Sequence, residues 1–91
     1  MLISVATFAQ KDQIKAAEKA LKAGKSDEAK NILLDAESVI TNATDAEKAQ
    51  YYFVKGNAML DLANKSVDKD VNLSLAATAF QELIEVEKAT G

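Results

Sequence analysis

Chemistry in this chain has to come from Asp, Glu, Lys, Ser, Thr and Tyr, because the sequence contains no Cys, His, Arg, Trp or Pro. Its densest carboxylate group is Glu82, Glu85 and Glu87. On a helix Glu82 and Glu85 are i, i+3 neighbours and share a face, while Glu87 is turned away. Such a pair does acid–base work or binds a hard cation. Lys88 beside it fits a solvated helix face, which is the expected reading. Asp68 and Asp70 resemble the start of a Ca²⁺ loop, but the Gly and the terminal Glu that such a loop needs are not at the required spacing. Lys55 and Lys65 have no Gly-rich phosphate loop beside them. Asn42, Asn64 and Asn72 open Asn-x-Ser/Thr triplets, which are glycosylation acceptors only in a eukaryotic secretory pathway. Ser, Thr and Asn at helix ends explain them without modification.

The missing residue types exclude more than the present ones suggest. Without Cys and His there is no zinc finger, disulfide framework, haem ligand set, or Ser-His-Asp or Cys-His pair. Without Arg there is no bidentate fork for phosphate or guanine. With 11 basic against 14 acidic side chains and a net charge of −3, the chain lacks the basic excess of nucleic-acid binders. No catalytic residue, metal ligand or cofactor is expected. A chain of 91 residues suits one small domain whose core is modest.

Whatever the side chains do, helices position them. The first helical pattern covers 12–23, with Ile14, Ala17, Ala20 and Leu21 on one face. The second starts at Ser26, expected as its N-cap, with Asp27 and Glu28 in the first turn opposing the helix dipole. Its face carries Ala29, Ile32, Leu33, Ala36, Val39 and Ile40. The third starts at the capping box Thr44-Asp45-Ala46-Glu47, with Ala49, Tyr52, Phe53, Gly56, Met59, Leu60 and Ala63 on its expected apolar face. The fourth starts near Asn72, with Leu73, Ala76, Ala77, Phe80, Leu83 and Ile84 expected inside. Leu75, Ala79 and Val86 are expected off that stripe, where they would suit a further unit or a second copy of the chain. Gly24-Lys25 is expected to be a tight turn with Gly in the left-handed region, which folds the first two helices into a hairpin. The connection 64–71 is polar and reads as a solvated loop. The fold class expected is all-α, two antiparallel helix hairpins in series.

Residues 1–9 differ in character. MLISVATFA carries no charge and is too short to span a bilayer, which takes about 20 apolar residues. Thr7 and Ala9 fit a small-x-small cleavage site before Gln10, so 1–9 reads as a signal-peptide remnant and the chain as exported.

The two hairpins resemble the tetratricopeptide repeat family. In a first unit, 10–43, Ala17, Gly24, Ala29, Leu33 and Ala36 fall at the family's spacings. In a second, 44–91, Tyr52, Gly56 and Met59 match its first helix, and Ala76, Phe80 and Leu83 its second. The interval from Gly56 to Ala76 is 20 residues, about eight beyond the family's spacing, so an extended inter-helix loop is expected at 64–71. The Pro that commonly closes a unit is absent, with Thr41 in its place. The resemblance implies a non-catalytic scaffold that binds a protein or peptide, as the N-terminal part of a longer exported repeat protein of a bacterial periplasm or envelope. It implies a concave groove lined by the first helix of each unit, here Ile14, Glu18 and Leu21, then Phe53, Asn57, Leu60 and Asp61. Asn57 has the donor and acceptor to hydrogen-bond a ligand backbone. Tyr51, Tyr52 and Phe53 are the aromatic material left for an anchor. Two units are few for a solenoid, so further repeats or a homodimer through the last helix are expected. The rival classes are a cytosolic helical adaptor and a small metal-binding or enzymatic domain on the Glu82/Glu85 face.

Overall fold

The computed structural model describes the backbone of residues 2–90 and the side chains of residues 12–89. Four helices follow in order: α1 (Leu2–Lys22), α2 (Ser26–Ile40), α3 (Asp45–Asn64) and α4 (Lys69–Thr90). No strand occurs among the described residues. The side chains of the segment 1–9, expected as a signal-peptide remnant, lie outside the described ones. α1 packs on α2 and α3, α2 on α3, and α3 on α4, so α3 is the central helix.

The turns follow from local chemistry. Gly24 has φ +80°, and around it Lys25 N donates to Ala20 O at 2.8 Å and Gly24 N to Leu21 O at 3.0 Å. Those two bonds form a Schellman motif with Gly at its left-handed position, which closes α1 and reverses the chain as expected. α3 ends in the same motif: Val67 N donates to Leu62 O and Ser66 N to Ala63 O, both at 2.9 Å, with Ser66 at φ 63°. The start of α3 is the expected capping box, Glu47 N on Thr44 Oγ1 at 3.2 Å and Thr44 N on Glu47 Oε1 at 3.1 Å. At α2 the structure departs from the expectation. Lys25 is the N-cap and supplies no side-chain cap bond. Ser26 sits one residue inside, 2% exposed, and its hydroxyl donates to the Asp61 carboxylate on α3.

The faces expected for α1 and α2 are the buried ones. Ile14, Ala17, Ala20, Ala29, Leu33, Ala36 and Ile40 form the core with Tyr51, Val54 and Ala58 of α3. On α3 the expected stripe holds in part: Gly56, Met59 and Ala63 are buried, but Phe53 and Leu60 are exposed, while Tyr51, Val54, Ala58 and Leu62 are buried as well. The cause is the central place of α3. With three neighbours it buries most of its circumference, leaving the narrow strip Phe53–Asn57–Leu60 outside. On α4, Ala76 is buried and Phe80 and Leu83 are half-buried as expected, but Leu73, Ala77 and Ile84 are exposed, while Ala79 is buried and Leu75 and Val86 are half-buried. The face expected to await a neighbour therefore points inward. The loop expected at 64–71 shrinks to 65–68, because α4 begins at Lys69. The residues beyond the family spacing lengthen α3 and α4 instead.

Gly56 shows why a small residue stands mid-helix. A Cβ there would lie 2.5, 2.6 and 2.8 Å from three ring atoms of Phe80 on α4. Alanine gains about 0.8–1.0 kcal/mol in helix propensity over Gly, but overpacking costs about 1–3 kcal/mol. Gly56→Ala is therefore expected to destabilise by about 1 kcal/mol in urea unfolding. In a Phe80→Ala background, where the clash is gone, the same substitution should stabilise, and a sign that stays negative there refutes the steric account.

Candidate functional site

A groove of about 520 Å³ lies between α1 and α3. α1 and its turn contribute Glu18, Leu21, Lys22 and Gly24, and α3 with the residue after it contributes Phe53, Val54, Asn57, Asp61 and Lys65. Five of the seven expected binding residues meet here: Glu18, Leu21, Phe53, Asn57 and Asp61. Ile14 does not present itself. It is 3% exposed, holding α1 to the core. Leu60 is 37% exposed but outside the groove lining.

The groove has an apolar middle and polar ends. Phe53, 51% exposed, lies beside Leu21 and Val54. At one end Gln50 Nε2 donates to Glu18 Oε2 at 2.6 Å, tying α3 to α1. At the other, Lys65 Nζ lies 2.9 Å from Asp61 Oδ2 and 3.4 Å from the Gly24 carbonyl oxygen. Asp61 also accepts from Ser26. This cluster joins the α1–α2 turn, the start of α2 and the end of α3. Asn57 Nδ2 donates to Phe53 O at 2.8 Å. That uses one of its two N–H bonds, so a second N–H and Oδ1 remain for a ligand.

Lys22, Val54 and Lys65 were not among the expected binding residues. Lys65 was legible, since Asp61 and Lys65 are an i, i+4 acid–base pair on one helix face. Val54 lies off the stripe expected for α3, whose buried arc is wider than one stripe.

The Ser26 hydroxyl, and then Lys65, hold the Asp61 carboxyl below its ordinary value of 3.8. A carboxylate with a lower pKa in the folded state adds stability that is complete above the unfolded value and is lost as pH falls through the folded one. Asp61→Asn should therefore cost stability at neutral pH and nothing extra in acid, so that variant and parent converge below pH 3.8. Thermal unfolding across the acid range reads this directly, and parallel curves would refute it.

Elsewhere, Glu82 lines a cavity of about 280 Å³ with Glu37, Tyr52, Lys55 and Thr78. Burial, and then Glu82 and Glu37, raise the Tyr52 pKa above its ordinary value. Glu85 is exposed on α4. Among the described residues no group of three or more acidic, His or Cys side chains is placed to hold a metal ion. No helix among them is long and apolar enough to cross a membrane. Asn72, which opens the third Asn-x-Ser/Thr triplet, is fully buried and is not an accessible acceptor.

Fold and groove together define an all-α chain of four packed helices with a mixed-polarity cleft between α1 and α3. No family model, curated protein or solved structure matches it.

Proposed function

We propose that this chain is a non-catalytic interaction scaffold of tetratricopeptide type, which takes an extended segment of another protein in the α1–α3 groove. The observation that carries this reading is the convergence of Glu18, Leu21, Phe53, Asn57 and Asp61 on one cleft. Residues chosen by repeat register lie together there although 43 positions separate the first from the last. The packing order supports the same reading, because α1 and α3 lie side by side as the groove-forming helices. Phe53 and Leu21 offer an apolar seat, and Asn57 offers its remaining N–H and Oδ1 to a peptide backbone.

Selection from a random peptide library tests the proposal. Selected peptides should lose about tenfold or more in affinity against Phe53→Ala, and should weaken against Asn57→Ala. Both variants sit at partly exposed positions and keep the helical circular dichroism of the parent. Failure to enrich any peptide, or enrichment of peptides indifferent to both substitutions, would sink it. Export belongs to the same proposal and rests on residues 1–9 alone. Mass spectrometry of the chain from fractionated bacteria should find an N-terminus at Gln10 in the envelope fraction, and a retained Met1 refutes export.

A further inference from the structure

We propose that the cavity of about 280 Å³ between α2 and α4 binds an alkylammonium group, its carbon chain on the cavity floor and its charge at a rim that carries Glu37 and Glu82. α2 and α4 both pack on α3, while their backbones stay apart. Near the start of each helix a side chain closes that gap: Lys30 Nζ donates to Asn72 Oδ1 at 2.8 Å. Seven residues further along each helix, at Glu37 and Ala79, the gap is open. Ile40, Tyr51 and Ala79 form its buried floor, and Glu37, Thr78 and Glu82 its exposed rim. Tyr52 and Lys55, both half-buried, complete the wall.

Charge selects a cation. Two carboxylates against one ammonium leave a negative charge in excess. Glu37 comes from α2 and Glu82 from α4, and both act on one phenol: burial, and then Glu82 and Glu37, raise the Tyr52 pKa. The two carboxylates therefore face the same stretch of rim. Lys55 does not neutralise them. Its ammonium lies over the Tyr51 ring, 5.5 Å from the centroid, and among the described residues no ammonium is within ion-pair reach of Glu37 or Glu82. A hard cation fits poorly, because Ca²⁺ takes about six to eight oxygen ligands and the Lys55 charge repels it. An alkylammonium needs acceptors at one end and hydrocarbon along the rest, which rim and floor supply. The volume lies just below the roughly 300–1,000 Å³ of drug-sized sites, so the ligand is a short-chain amine. The rim is solvated, so dissociation on the order of millimolar is expected. The cavity shares no lining residue with the groove between α1 and α3, and the inference is independent of it.

Titration of the whole chain with n-butylammonium chloride, followed by amide chemical shifts at constant ionic strength, tests it. Saturable shifts are expected at Glu37, Tyr52, Thr78 and Glu82. The neutral isostere n-butanol should bind about threefold or more weakly. Glu37→Gln and Glu82→Gln should each weaken n-butylammonium by about threefold, and the double variant should no longer saturate. Both side chains are exposed, so these variants keep the helical circular dichroism of the parent. Lys55→Met should tighten binding, because it removes a competing charge and keeps the hydrocarbon. A second titration with Nα-acetyl-lysine methylamide separates two sources of the same chemistry: affinity equal to that of n-butylammonium points to a lysine side chain of a polypeptide, and weaker binding to a free amine. Shifts that never saturate, equal binding of n-butanol, a double variant that binds like the parent, or weaker binding to Lys55→Met overturns the proposal.

Discussion

Tyr51→Ala is expected to remove about 3–5 kcal/mol of folding stability, the largest loss of any single substitution considered. Tyr51 is fully buried on the central helix, and its hydroxyl donates to the Leu33 carbonyl of α2 at 3.0 Å. Its ring meets Tyr52 edge-on, with centroids 5.1 Å apart, and carries the Lys55 ammonium 5.5 Å from its centre. Burial, and then Glu37 and Tyr52, push the phenol pKa well above its ordinary value, so the hydroxyl stays a donor through the alkaline range. Truncation would leave a cavity where α2 and α3 meet, and would strand no charge. Tyr51→Phe separates the two contributions: it keeps the ring and loses one hydrogen bond, at about 1 kcal/mol. Small domains hold only about 5–15 kcal/mol in total, so Tyr51→Ala should shift the urea midpoint sharply or abolish the cooperative transition. A loss no larger than that of Tyr51→Phe would show that α3 is not held through this ring.

Tyr51 also shows where sequence reading stops. The faces of α1 and α2 were legible, because each of those helices presents one apolar arc to its neighbours and period 3.6 then picks out a single stripe. α3 meets α1, α2 and α4, so apolar residues occupy most of its surface and several stripes fit the period equally well. Phe53 and Leu60 look like core residues in such a pattern, and Tyr51 does not. α4 is legible only in part. Ala76 is buried and Phe80 packs on Gly56 as its stripe predicts, but Leu73, Ala77 and Ile84 on one flank are exposed, and period alone cannot say which flank of an apolar arc turns to α3. Five residues of the α1–α3 cleft, Glu18, Leu21, Phe53, Asn57 and Asp61, were expected from the resemblance to a repeat family rather than from hydrophobicity. The polar ties across helices, Ser26 to Asp61 and Gln50 to Glu18, join residues 35 and 32 positions apart. Local spacing carries no signal of them.

Asn72→Ala should show how far the groove depends on a residue outside it. Asn72 is fully buried near the start of α4. Its Oδ1 accepts from Lys30 Nζ at 2.8 Å, and its Nδ2 donates to the Val67 carbonyl at 2.6 Å. One side chain thus ties α2, the connection 65–68 and α4 together. Truncation removes a hydrogen bond to a charged donor, worth about 1.5–3 kcal/mol, and a second bond to a carbonyl. A stability loss of about 2–3 kcal/mol is expected. Asn72→Leu should not restore it, since an apolar side chain of similar size leaves the half-buried Lys30 ammonium facing hydrocarbon. Lys30→Met combined with Asn72→Leu should recover most of the loss, because both polar partners are then gone. The same substitution reaches the groove through Lys65, which bridges Asp61 and Gly24 from the first position of that connection. Loosening 65–68 should speed amide exchange at Ser66 and Val67, whose N–H groups close α3, and should weaken a groove-bound peptide although no ligand contact has been removed. Unchanged exchange at those two amides would mean that the Schellman motif holds the connection unaided. In that case the affinity for a groove-bound peptide should stay at the parent value even though global stability has fallen.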